Sequence, residues 1–369
     1  MKLLKLRLTN FRNFSNLEIY PYNGINIING RNAQGKTNLL ESIFMALTGY
    51  SFRTSRLKET INLNSSLGYA HIDLEFERLN TIYQVRVTLT IDSQKRVIVN
   101  GKEVKRDLYP FRPNVVLFIP DDLALIKGGP RERRQLLDTE LGIIDPTYNY
   151  YLQQYQRVLS QRNNLLRLIR ERKHNLESLE PWNNQLYNFG SQVVLKRLEL
   201  LSKFFIPFKD LYHFISGNNE NIQLRYLCSL PIGSNIKIST IINCFKKESI
   251  KRINEELIRG QTLLGPHRDD IIFLINNNNA KQFGSQGQIR SIVIAIKLTL
   301  LELWKRESGI SPVLLLDDIL TELDSVRQEY LLKLITDIPT TLITSSRNRN
   351  GCFKGQFLLQ NGTIDKGVT

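Results

Sequence analysis

The stretch "GINIINGRNAQGKTNLLESIF" constrains this chain more than any other. Gly24 to Asn29 is a short β-branched run that leads straight into a glycine loop. Thr37 to Leu47 then places Leu39, Leu40, Ile43, Phe44 and Leu47 on one helical face. Between them Gly30, Arg31, Asn32, Ala33, Gln34, Gly35, Lys36 and Thr37 satisfy GxxxxGK[ST] at every constrained position. Strand, glycine loop and helix in that order predict backbone N–H groups wrapped round phosphates, with the dipole of the helix N-terminus behind them. Lys36 has the reach for β- and γ-phosphates, and the Thr37 hydroxyl is a ligand type for Mg2+.

A loop of this kind needs a carboxylate to help hold the metal. "PVLLLDDI" supplies one, because a nearly all-apolar run ending in two acids reads as a central parallel strand with its functional end exposed. Asp317 is the expected magnesium partner, and Asp318 is placed to orient an attacking water as general base. A second anion seat lies far along the chain. Ser285, Gln286 and Gly287 precede a largely apolar helical run from Ile292 to Leu303, and a polar turn opening a buried helix suits a phosphate.

The rest of the chain sorts into three stretches. Tyr69 to Val104 has period two and reads as an antiparallel meander, with Asn100-Gly101 as a hairpin turn. Residues from about 131 to 215 are rich in Leu, Gln, Arg, Lys and Glu at helical spacing. Their clearest piece is "YLQQYQRVLSQRNNLLRLIRERK", with Leu152, Tyr155, Leu159, Leu166 and Ile169 as the apolar stripe. A helix over Ile238 to Ile258 follows, and strand signals return at "LLGPHRDDIIFLINNNNAKQ", whose asparagines mark a loop tip. The expected division is 1–126 for the first part of a nucleotide-binding head, 127–260 for an inserted helical arm, and 261–369 for the rest of the head.

With Lys+Arg 50 against Asp+Glu 35, the net charge is +15, and a surplus of that size favours a polyanionic partner. The N-terminus "MKLLKLRLTNFRNF" alternates apolar and basic residues without the continuous apolar core of a signal peptide, and no stretch is long enough to span a membrane. Cys228, Cys244 and Cys352 are scattered and odd in number, which argues against a disulfide framework or zinc site and fits a cytoplasmic location.

The order of Walker A at Gly30, Ser-Gln-Gly at Ser285, "LLLDD" at Asp317 and "ELD" at Glu322 to Asp324 resembles the ABC-type ATPases of DNA maintenance, the group that includes SMC-like proteins. Within it the chain most resembles the RecF family of bacterial recombination mediators. "NFRNF", "SFRTSR", "RRQLLD", "YQRVLSQRN", "LLGPHRDD", "SQGQIRS" and "LLLDDILTELD" run in that family's order. The resemblance implies an α/β fold: an ABC-type P-loop ATPase head, with a mixed sheet, flanking helices and an antiparallel β meander, plus an inserted helical arm. It implies ATP and Mg2+ as ligands. It also implies a homodimer in which Ser285, Gln286 and Gly287 of one copy cap the γ-phosphate held by the other, with Asp324 at the seam. The implied role is recombinational repair of gapped or stalled-fork DNA, at duplex DNA and single-strand/double-strand junctions, with mediator proteins such as RecR and RecO.

Two departures from the wider ABC pattern point to slow turnover. Asp318 stands where many such enzymes have Glu, and "TTLITSS" ends without a histidine. Arg162, Arg167 and Arg170 on the arginine-bearing helix are candidate DNA contacts. For any one of them a solvated helix face is the better reading. Arg53 and Arg56 either touch DNA or steady the loop after the Walker helix. Arg12 and Asn13 either approach the nucleotide or end a surface strand, and Pro120-Asp121-Asp122 sits where RecF proteins carry a Pro-acid-Asp element in place of the Q-loop. Two other readings stand beside this one: the ATPase subunit of a membrane transporter, against which the large insertion and basic charge speak, and an ATP-binding scaffold that does not hydrolyse.

Overall fold

The computed structural model describes residues 1–65, 67–104, 115–217, 219–233, 236–321, 323–346 and 353–366. Glu322 and Cys352 lie outside the described residues. The chain divides into two compact units. The first is Met1–Asp122 with Phe214–Gly217 and Arg290–Thr369; the second is Leu123–His213 with Asn218–Ile289.

The first unit is built on two six-stranded sheets. One is antiparallel throughout, in the order β2 (Phe14–Ile19), β1 (Lys2–Phe11), β4 (Tyr69–Arg78), β5 (Thr81–Thr90), β6 (Lys95–Val99), β7 (Lys102–Glu103). Its period-two sequence puts Ala70, Ile72, Leu74 and Phe76 of β4 on the inner face, each wholly buried. The turn between β6 and β7 is Asn100-Gly101, both with positive φ (47° and 79°), as a two-residue primed hairpin turn requires.

The second sheet runs β15 (Thr363–Lys366), β14 (Gly355–Gln360), β3 (Gly24–Asn29), β13 (Thr340–Ser345), β12 (Val313–Leu316), β8 (Val115–Phe118), parallel except at β15. All four residues of β12 are buried, which is why its sequence shows no alternation. Helix α1 (Lys36–Thr48) joins the two sheets. Its Leu39, Ile43 and Leu47 share one core with Leu6, Leu74 and Leu315, each worth about 1.5–3 kcal/mol of burial.

The second unit holds α2 (Ala124–Lys127), α3 (Pro130–Ile144), α4 (Pro146–Arg170), most of α5 (Glu180–Ser216) and α6 (Ile238–Arg259). It also holds a small sheet in the order β11 (Asn278–Asn279), β10 (Asp270–Ile275), β9 (Ile222–Leu227), and the short α7 (Ala280–Phe283). The turn from β10 to β11 is Asn276-Asn277, both with positive φ, which accounts for the asparagine run. Residues 261–289 pack here because β10 pairs antiparallel with β9 and Asp270 takes a two-pronged contact from Arg133 at 2.7 and 2.9 Å.

Helix α8 (Gln286–Ser308) begins in the second unit and passes into the first at Arg290. Helix α9 (Ser325–Ile335) lies in the first. Among the described residues no helix is long and apolar enough to cross a membrane.

Candidate nucleotide site and the RecF family

The glycine loop leaves the C-terminal end of β3 and closes on α1 within six residues, so its two fixed glycines answer to geometry. A Cβ on Gly30 would lie 2.6 Å from the Leu359 carbonyl oxygen. Gly35 sits at φ +105°, and a Cβ there would meet the Asn13 side chain at 2.5 Å. Lys36 folds back over the loop, where its Nζ donates to the carbonyls of Gly30 (2.7 Å) and Arg31 (3.0 Å). Burial pushes this ammonium below its usual value, while the facing carboxylates of Asp318 and Asp317 pull the other way. Arg31, Asn32 and Ala33 are exposed, and a cavity of about 500 Å³ opens beside the loop, lined in part by Arg31, Gln34, Ser346 and Leu358.

The parallel register brings the acidic end of β12 to the same edge. The Thr37 hydroxyl donates to Asp317 Oδ2 at 2.7 Å, and the Thr344 hydroxyl donates to Asp317 Oδ1 at 2.7 Å. Thr344 also accepts the Asp318 N–H at 2.8 Å. Asp318 has a left-handed backbone (φ 50°), and its Oδ1 takes the Ser346 N–H at 3.3 Å. Thr344 thus fixes both acids, a role that the missing histidine in the sequence did not suggest.

Hydroxyl and buried carboxylate are hard oxygen donors, and no group of three or more His, Cys, Asp or Glu suited to a metal exists among the described residues. Two protein oxygens, with the rest from phosphate and water, is the donor set of Mg2+. Thr37 and Asp317 therefore fit that ion.

Around the loop the N-terminal residues divide their work. Asn13 Nδ2 donates to the Gln34 carbonyl at 2.8 Å and Asn13 Oδ1 accepts from Asn38 Nδ2 at 2.7 Å, so the side chain rests on the P-loop itself. Arg12 is committed elsewhere, donating to both oxygens of the wholly buried Glu41 (2.9 and 2.7 Å) and to the Glu59 carbonyl. Arg53 meets Asn38 at 2.5 Å and Glu41 at 3.6 Å, with its side chain 42% exposed; Arg56 is 75% exposed beside Glu59. In the second unit Ser285 and Gln288 cap α8 reciprocally, Ser285 N–H to Gln288 Oε1 (2.8 Å) and Gln288 N–H to Ser285 Oγ (3.2 Å). Ser285 and Gln286 are exposed and Gly287 half-buried. Asp324 caps α9 by accepting the Arg327 N–H at 2.9 Å.

One candidate DNA contact is corrected. Arg162 is wholly buried; its guanidinium donates to Glu256 (2.6 Å), Thr262 (2.8 Å) and Asn183 (2.7 Å), so it has no surface to offer a phosphate. Neighbouring Asn163 accepts from the Thr262 N–H at 2.7 Å. Arg167 and Arg170 of the same helix are exposed.

Residues 5–286 match the family model described as an AAA domain. The DNA replication and repair protein RecF of Pelotomaculum thermopropionicum is 44% identical over 348 residues, 94% of each chain. That of Desulforudis audaxviator is 38% identical over 99% of each. The chain belongs to the RecF family. A solved structure of the recombination mediator protein RecF with ATP, in the RecFOR pathway, superposes with a TM-score of 0.86 at 31% identity, covering 100% of this chain and 98% of that one. An SMC head bound to the C-terminal winged-helix domain of ScpA shares the fold (TM-score 0.60, 16% identity). The architecture is therefore the ABC-type ATPase head common to RecF and SMC proteins. Arg162 and Asn163 of the QRN helix meet Thr262, just before the GPHRDD turn, in one polar network, while Gln161 and Arg268 of the same two motifs are exposed.

Proposed function

We propose that this chain is an ATP-switched, DNA-binding protein of replication-linked recombinational repair. The observation that carries the reading is the set Lys36, Thr37, Asp317, Asp318 and Thr344, brought to one sheet edge from three parts of the sequence. Lys36 exchanges two backbone carbonyls for phosphate oxygens when a triphosphate enters. Thr37 and Asp317 would hold Mg2+, which would supply charge neutralisation when bound. Asp318, fixed by its backbone bond to Thr344, accepts the proton of an attacking water. Its side chain is one methylene shorter than glutamate, and slow turnover follows from the poorer reach.

The capped start of α8 supports a second phosphate contact made in trans. Ser285 and Gln286 stand exposed at the N-terminus of a 23-residue helix, whose dipole favours an anion. Two copies packed head to tail then share two triphosphates, and ATP becomes the condition for pairing. The +15 charge fits duplex DNA, including single-strand/double-strand junctions, held through phosphates. Arg167 and Arg170 are the exposed candidates on the arm. A part played with RecR and RecO is the reading that the solved recombination mediator of the RecFOR pathway supports, and a cytoplasmic location suits the free cysteines Cys228 and Cys244.

Sedimentation with ATP, ADP and no nucleotide, with and without duplex DNA, tests the reading. ATP alone should double the mass, and Lys36→Met should abolish that response. Doubling that survives Lys36→Met, or appears equally with ADP, sinks it.

A further inference from the structure

Helix α4 contains no aspartate or glutamate, and residues 181–198 at the start of α5 hold none either. The two helices run antiparallel, side by side. Arg162 donates to Asn183 at 2.7 Å, a Cβ on Gly190 would stand 3.0 Å from the Tyr155 ring, and Arg197 donates to Tyr148 at 3.2 Å. Each step of two turns along one helix is thus matched by two turns back along the other. These contacts occupy the inner faces. The outer face of α4 carries Gln153, Arg157, Gln161 and Asn164 in one exposed stripe. Their side chains make no hydrogen bond or ion pair among the described residues.

A group of rings stands at one end of that stripe. Tyr150 is 55% exposed, and it meets Phe189 of α5 nearly edge-on (centroids 6.3 Å apart, 82° between planes) and Tyr151 at 5.6 Å. The ring contact ties the outer faces of the two helices into one surface, on which Gln185 of α5 is also exposed. The carboxylates at its margin are already paired, because Lys196, two turns on from Phe189, holds Asp145 at 2.9 Å and Glu199 at 3.8 Å. A surface without free acids does not repel a polyanion. A seat for duplex backbone alone calls for cations at most positions, and in this stripe only Arg157 is charged. Amides offer donors and acceptors together, as the edges of unpaired bases do, and an uncovered aromatic ring accepts the face of any base.

We propose that Tyr150, braced by Phe189 and continued by the amide stripe of α4, is a seat for the unpaired bases of single-stranded DNA. Tyr150 stacks on a base, Gln153 and Gln161 bond base edges, and Arg157 takes a backbone phosphate. Arg167 lies about 26 Å further along the same helix, so the cationic end of α4 is a separate stretch. The inference rests on the DNA-binding reading above and deepens it by naming which strand the arm holds here and through which groups. It requires neither ATP nor pairing of two copies.

The test is fluorescence anisotropy of the full chain, without nucleotide, on three labelled probes: an oligo-dT strand, an abasic strand of the same length and a duplex of that length. The natural chain should bind oligo-dT about tenfold more tightly than the abasic strand. Tyr150→Ala should lose most of that preference and keep duplex affinity within about twofold. Its slope of log affinity against log salt should not change, because no charge is removed. Tyr150→Trp should retain the preference. Gln153→Glu, an exposed change that sets an acid in the stripe, should weaken oligo-dT binding by about threefold or more. The proposal is overturned by a natural chain that binds the two strands alike, by a Tyr150→Ala chain that still tells them apart, or by equal losses on strand and duplex. Gln153→Glu without effect overturns it too. So does Tyr150→Ala that weakens self-association and leaves DNA binding intact, which would give this face to a second copy. Binding of duplex but not of oligo-dT removes this inference alone, whereas a natural chain that binds none of the probes removes the DNA-binding reading with it.

Discussion

An arginine set into the apolar stripe of a helix carries a charge that must find a partner before the helix can pack. Arg162 stands one heptad after Tyr155, on the face buried by Tyr148, Tyr155, Val158, Leu165 and Leu166. Its partner Glu256 is itself only 1% exposed. The side-chain pattern of α4 was legible, but a charge in a stripe reads as a break in the stripe, and nothing local announces an acid 94 positions away. Truncating one member of a buried pair leaves the other uncompensated. Arg162→Ala should therefore cost about 3–5 kcal/mol, read as a lower urea midpoint. Arg167→Ala, one turn on and exposed, should leave unfolding within about 0.5 kcal/mol. If Arg167 meets a DNA phosphate, the same change lowers the slope of log affinity against log salt by about one. An unaltered slope removes it from the DNA surface.

At the scale of elements, legibility followed sequence distance. Strand, glycine loop and α1 are contiguous, so the phosphate seat was plain from residues 24–47. The β9–β10 pair joins segments more than forty residues apart, such as Leu227 with Asp270. No hairpin turn links them, so the pairing that draws residues 261–289 into the second compact unit has no local signal. What holds that region is the turn from Thr262 to Asp270. His267 donates from Nε2 to the Thr262 carbonyl (3.1 Å), so its Nδ1 accepts the Tyr155 hydroxyl proton at 2.6 Å. Burial, with Arg268, Arg134 and Arg162 nearby, pushes the imidazole down to about 4. The unfolded chain binds its proton at about 6.5, so between those values the unfolded state holds more protons and stability falls as pH falls. The loss should approach roughly 3 kcal/mol near pH 4. Urea midpoints at pH 7, 5.5 and 4.5 for the natural chain and His267→Gln isolate this component, since their carboxylates are shared. Parallel pH profiles would show that His267 is not buried neutral.

For the whole molecule the question is which copy's triphosphate the Ser285–Gly287 turn, the signature turn, serves, and mixing two defective chains decides it. Lys36→Met removes the cation from the P-loop and leaves the signature intact. Ser285→Arg blocks the signature and leaves the P-loop intact. Each alone should fail to pair with ATP. In a head-to-tail pair of unlike chains, one composite site combines both defects. The other joins the sound P-loop of the Ser285→Arg chain to the sound signature of the Lys36→Met chain. One closed site of two should restore weak, ATP-dependent mixed pairing, detectable by pull-down of one tagged chain by the other. If the signature worked on its own subunit's nucleotide, neither chain would contain a complete site, and mixing would restore nothing. The +15 charge makes duplex DNA a useful second arm: it should strengthen the mixed pair at low salt and lose that effect as salt rises. DNA that holds the two chains together equally without ATP would be acting as a tether, and the nucleotide would no longer be the switch.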